Sequence, residues 1–109
     1  MPLPARKIEY ARTAEACVFD LHEFAKALGL SYRQLERYSK SDLGCSPKTW
    51  LDKQRIAAAI TMLQYQSSVK AVAIDLGFRS ESHFCFFFRK YTGRSPGEVL
   101  RANARQRAA

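Results

Sequence analysis

Leu21, Phe24, Ala25 and Leu28 recur at i, i+3, i+4 and i+7, which is one buried face of a helix. Asp20 precedes this stretch and Glu23 follows three residues later, the spacing of a capping box. Gly29 ends the helix, because a sharp turn there needs a positive φ or has no space for a Cβ. Ser31 caps a second helix running to about Leu43, with Leu35 and Tyr38 as its inward face and Gly44 as its stop. A short helix, a glycine turn and a second helix make a helix-turn-helix, and Ala25 is small where the two helices cross.

The same plan returns downstream. Ser68 caps a stretch carrying Val69, Val72, Ala73 and Leu76, and Gly77-Phe78 makes the turn. Ser80 caps the next helix, whose inward face is Phe84, Phe87, Phe88 and Tyr91, and Gly93 ends it. Between the copies, Ser46-Pro47 is an N-cap followed by proline in the first turn. Residues 47–66, rich in helix formers, then read as one connecting helix with Trp50, Leu51, Ile56, Ala59, Ile60 and Leu63 apolar. Residues 5–17 are predicted as a helix on the first unit. Residues 95–103 are predicted as one on the second, followed by a frayed basic tail with Arg101, Arg105 and Arg107.

The two units are copies. Ala25–Leu30 lies over Ala73–Phe78 at an offset of 48, and Ser31–Leu51 over Ser80–Leu100 at an offset of 49, with Arg79 as the one extra residue. Ala25/Ala73, Leu28/Leu76, Gly29/Gly77, Ser31/Ser80, Gly44/Gly93, Ser46/Ser95, Pro47/Pro96 and Leu51/Leu100 are then identical. The predicted fold is all-α, with about seven helices. It divides into a first helix-turn-helix subdomain (1–45), a linker helix (46–67) and a second helix-turn-helix subdomain with a basic C-terminal tail (68–109). A rod of twenty residues spans about 30 Å, close to the ~34 Å between successive major-groove faces on one side of B-DNA.

Composition narrows the partner. The 109 residues carry 18 Lys and Arg against 10 Asp and Glu, a formal charge of +8, and a pI near 9.8. That imbalance in a globular composition points to nucleic acid, an anionic surface or an acidic protein. No apolar run is long enough for a membrane span, and Met1 to Lys7 has no apolar run behind its charges, so no secretory signal is read there. Cys17, Cys45 and Cys85 form no C-x-x-C pair, and His22 and His83 are not at metal-ligand spacing to them. No metal and no cofactor are therefore expected. Three unpaired thiols fit a reducing cytoplasm and read as inert. An enzyme finds no support: there is no nucleophile–base pair with a convergent third group and no phosphate-cradling glycine loop.

AKALGLS, the G-x-S-P before the linker helix, Arg55-Ile56 with Ala59 and Leu63, and above all AIDLGFRSESHF followed by FRKYTGRSP resemble the DNA-binding domain of AraC/XylS-type bacterial transcription regulators. The resemblance covers roughly Asp20 to Arg101. It implies seven helices, two helix-turn-helix units and double-stranded DNA at promoters as the partner, with recognition helices in adjacent major grooves. Most of that family carries a further sensing or dimerising domain, so the chain resembles a stand-alone short member or an isolated domain, monomeric in isolation. An activator that also touches RNA polymerase is the expected role.

In the first recognition helix, Arg33, Glu36, Arg37 and Lys40 share the outer face. Arg grips guanine O6 and N7 in a fork and Glu accepts from cytosine N4, so Arg33, Glu36 and Arg37 are the candidate base readers. The resemblance places the readers of the second unit at Glu81, Ser82 and His83. Phe86 stands where the family often has a basic residue, on the same side as Ser82, His83 and Lys90. Phosphate contacts are expected from Lys40, Lys48, Arg89, Lys90 and Arg94, and at the helix N-termini capped by Ser31 and Ser80. The alternative function is a module that keeps the fold without reading bases, binding DNA without sequence preference or binding an acidic protein.

Overall fold

The computed structural model describes residues 3–108, with side chains described for residues 9–107. It consists of α1 (Leu3–Ala16), α2 (Leu21–Leu28), α3 (Tyr32–Leu43), α4 (Pro47–Tyr65), α5 (Val69–Asp75), α6 (Glu81–Thr92) and α7 (Pro96–Ala108), with no strand among the described residues. The chain forms two compact units, Met1–Arg55 and Ile56–Ala109, which part within α4. That helix is unbroken over 19 residues, about 28 Å at 1.5 Å per residue.

The first unit closes around aromatic rings from three helices. Phe24 of α2 stacks on Trp50 of α4 with ring centroids 5.7 Å apart, and Tyr10 of α1 meets both edge-on at 6.3 Å. These offset and edge-to-face arrangements are the ones the ring quadrupole favours. Leu35 of α3 is buried among the core residues. Tyr10 also donates its hydroxyl to Asp42 Oδ2 at 3.0 Å, tying α1 to α3.

The junction between α1 and α2 is strained. Val18 and Phe19 have φ of 51° and 61°, a region that L side chains rarely adopt and β-branched ones least of all. Arg55 of α4 holds it. Its Nη2 donates to the Phe19 carbonyl at 3.1 Å and approaches the Val18 carbonyl at 3.4 Å. Burial lowers the pKa of this guanidinium from its ordinary value, and the charges of Asp52 and Asp20 oppose that shift.

In the second unit the rings come from α6 and the turn before it. Phe84 and Phe88 are fully buried, 5.7 Å apart, and Phe78 packs on Phe84 at 5.0 Å. Val72 and Ala73 of α5 and its C-cap residue Leu76 are buried as well. Asn103 of α7 donates to the Leu63 carbonyl at 3.2 Å, fixing α7 on the C-terminal part of α4.

Several expectations need correction. Tyr38 does not face inward; it is 36% exposed, and the buried face of α3 is Leu35, Ser39 and Asp42. Ser39 fits there because its hydroxyl donates to the Cys45 carbonyl at 2.7 Å. Tyr91 is also exposed, at 39%, and rests on Phe87 at 4.9 Å on the rim of the core. Asp20 caps α2 by accepting from the Glu23 N–H. The reciprocal half of the box is not made there, because the Asp20 N–H donates to the Cys17 carbonyl. The complete capping box lies instead at Ser31 and Gln34. No frayed tail follows residue 103: α7 continues to Ala108, carrying Arg101, Arg105 and Arg107 on the helix. No described helix is long and apolar enough to cross a membrane.

Candidate nucleic-acid interface

Both α3 and α6 are launched by the same backbone device. In the first unit, Gly29 N–H donates to the Lys26 carbonyl and Leu30 N–H to that of Ala25; in the second, Gly77 N–H donates to Ile74 and Phe78 N–H to Ala73. These paired bonds close a helix C-terminus through a left-handed residue, and the glycines have φ of 69° and 78°. Ser31 Oγ then accepts from the Gln34 N–H at 3.2 Å and Ser80 Oγ from the His83 N–H at 3.0 Å. Both serines are therefore caps, at helix ends whose first-turn N–H groups suit an anion.

On α3, Arg33, Arg37 and Lys40 are exposed and Glu36 is half-buried. Residues four and seven apart share a helix face, so Arg33, Arg37 and Lys40 form one cationic strip. The Arg37 guanidinium lies 5.5 Å from the Tyr38 ring centre, within cation–π range. Ser31, Arg33, Gln34 and Arg37 line an open hollow of about 490 Å³ at the start of the helix.

On α6, Glu81, Ser82, His83, Phe86, Arg89 and Lys90 are all exposed. His83 is positioned by its ring edge on Phe78, 5.4 Å between centres, and Lys90 Nζ lies 5.9 Å from the Tyr91 ring. Glu81 sits apart from the others. At about 100° per residue it is roughly 140° round the axis from Phe86, at the first position of the helix. The Cys85 thiol is pushed above its ordinary pKa by burial first and the Glu81 charge second, with Arg89 opposing.

Lys48 is exposed in the first turn of α4. Arg94, between α6 and α7, pairs with Glu98 at 3.9 Å across a well-exposed surface, so a phosphate there would compete with that carboxylate. Three residues have placements that the sequence reading did not assign. Gln34 completes the Ser31 box, and its S-x-x-Q spacing was the available signal. Arg79, the one extra residue of the second copy, is exposed beside Ser80 at the mouth of α6. Arg55 acts through backbone carbonyls 36 and 37 residues earlier in the chain, which no local pattern announces.

A family model described as a helix-turn-helix domain matches residues 24–102. The DNA-binding domain of AdpA, crystallised with a target DNA, superposes with a TM-score of 0.78 at 30% identity, covering 93% of this chain and 95% of that one. An AraC-type transcriptional regulator structure from Chromobacterium violaceum gives 0.71 at 27% identity, covering 92% and 96%. The chain belongs to the AraC-type helix-turn-helix family.

AraC-type relatives are also close in sequence. The transcriptional activator RhaS of Mannheimia succiniciproducens is 33% identical over 73% of this chain and 30% of its own length. The regulator GbdR of Pseudomonas aeruginosa is 40% identical over 71% of this chain and 21% of its own. The chain thus spans less than a third of the length of these AraC-type regulators. The family is one of transcription regulators, not enzymes.

Proposed function

We propose that the chain is a sequence-specific DNA-binding module of a bacterial transcription activator, acting in the cytoplasm and inserting α3 and α6 into adjacent major grooves. The observation that carries this reading is the twofold recurrence of one device: a glycine-turned, serine-capped helix with its cationic or polar face exposed, on a chain of charge +8. The AdpA domain, a structural neighbour, was crystallised with its target DNA. In this reading Arg33, Glu36 and Arg37 read bases from α3, while Glu81, Ser82, His83 and Phe86 read from α6. Lys40, Lys48, Arg89, Lys90 and Arg94 hold phosphates, with the N-termini at Ser31 and Ser80 adding backbone N–H donors. The chain binds as a monomer, and a remaining surface engages RNA polymerase.

Selection from random duplex DNA tests it. Two boxes about one helical turn apart are expected, with selected sites preferred over bulk DNA by roughly 10³-fold or more. If six phosphates are neutralised, log K falls against log salt with a slope of about −5. A slope near zero refutes DNA binding. Equal affinity for selected and random duplexes favours the second reading, a module without base readout, for which the apolar Phe86 on α6 is the supporting observation.

A further inference from the structure

Phe86 is 72% exposed at the middle of α6, and its surroundings are those of a polar, cationic face. At about 100° per residue, Ser82 and Lys90 lie within roughly 40° of it and His83 and Arg89 within roughly 60°, all four exposed. Phe84 and Phe88, two positions to either side, point the opposite way and are fully buried. The ring is therefore not a core residue displaced by one position, and the residues that share its face of α6 are polar or charged. It is an isolated aromatic set among groups suited to phosphates and base edges.

The internal repeat fixes what position this is. The offset of 49 that lays α3 over α6 residue for residue puts Phe86 in the register of Arg37 and Lys40 in that of Arg89. The same helix position thus presents a forked cation in one unit and a flat apolar ring in the other. In the major groove, guanine offers the acceptors that fit an arginine. The apolar feature available there is the C5-methyl of thymine.

Accepting the proposed placement of α6 in the major groove, we propose that Phe86 is a thymine-methyl reader, so that the second box is recognised through a 5-methylpyrimidine where the first is recognised through guanine. Lys90 and Arg89 hold the flanking backbone while the ring covers the methyl. His83, seated on Phe78, offers its ring nitrogens to the adjacent base edge.

The test uses the full chain and a duplex recovered by selection. Each thymine of the second box is replaced in turn by deoxyuridine, which removes the methyl and keeps every hydrogen-bonding group. Wild type is expected to lose about fourfold in affinity at one such thymine, the worth of one buried methyl. Phe86→Ala, with its fold checked by circular dichroism, is expected to bind the thymine and deoxyuridine duplexes equally. Phe86→Arg, which copies Arg37, should select guanine at that position. Specific binding by wild type with no deoxyuridine effect anywhere in the box overturns the methyl reading and leaves the proposed function standing. Methyl sensitivity that survives in Phe86→Ala overturns it too. So does unchanged DNA affinity in that variant, which would assign the ring to a protein partner. If wild type prefers no duplex over random DNA, the failure lies in the proposed function itself.

Discussion

Arg55→Ala should destabilise the first unit by about 2–3.5 kcal/mol. Its bond to the Phe19 carbonyl, at 3.1 Å, is charge-assisted and contributes about 1.5–3 kcal/mol. The 3.4 Å approach to the Val18 carbonyl adds little at that length. The guanidinium lies 6.0 Å from the Phe19 ring centre, where cation–π attraction contributes about 0.5 kcal/mol. The total is limited from above. Val18 and Phe19 have positive φ, a strain of roughly 1–2 kcal/mol per residue, and a turn freed from Arg55 can relax part of it. Trp50, the single tryptophan, is stacked on Phe24 in the first unit, so its fluorescence in a urea titration reports that unit. The burial that lowers the Arg55 pKa limits salt screening, while its attraction to the Asp52 and Asp20 charges is more open to it, so the loss should fall only modestly between about 50 mM and about 1 M salt. A loss below about 1 kcal/mol, or one that halves in high salt, would refute the account of Arg55 as a partly buried clamp.

Arg37→Ala should weaken selected sites by about 1–3 kcal/mol more than random DNA if it grips a guanine, whereas Lys90→Ala should weaken both alike and flatten the salt slope by about one; competition binding at several salt concentrations separates the two. Phe84→Ala, at a fully buried site, should cost about 3–5 kcal/mol, whereas Phe86→Ala should stay within about 1 kcal/mol, read by thermal denaturation, and a large loss at Phe86 would contradict the helix phase. Gly44→Ala should cost about 1–2 kcal/mol and Gly44→Asn less, because φ is +76° while a Cβ there would meet no atom within 4 Å; equal costs in chemical denaturation would point away from backbone strain.

The sequence carried the punctuation of this fold well. Glycines at turns and stops, serines at caps and the internal repeat announce where helices begin and end, because those roles are filled by few residue types. Which residue of a helix faces inward was less visible. Tyr38 and Ser39 both lie within the inward arc set by Leu35, and hydrophobicity favours the tyrosine. The buried position goes to Ser39, whose hydroxyl is satisfied by the Cys45 carbonyl in a unit already filled by Tyr10, Phe24 and Trp50. In the second copy the corresponding place belongs to Phe88, since that core draws its rings from α6. The extent of α7 was missed because terminal position suggests fraying, while its anchor, Asn103 on the Leu63 carbonyl, depends on a contact across 40 residues. The outward strip of Arg33, Arg37 and Lys40 was legible from spacing alone. Arg55 was legible only as part of a family pattern, and its task depends on backbone angles.

Two units with their own cores, joined through the unbroken α4, also have a consequence for how much each must contribute on the proposed reading. Once one unit holds its box, the other meets DNA at an effective concentration of about 1 mM. A second contact with an isolated Kd of about 0.1 mM would then still tighten the whole about tenfold. Such a contact would be weak as a separate binding event. The tether therefore lets α6 manage without an arginine or lysine among its base readers, and it lets the two boxes differ in stringency. Sites across a genome would keep the α3 box closely and tolerate drift in the α6 box, so that promoters could be graded in occupancy by their second box alone.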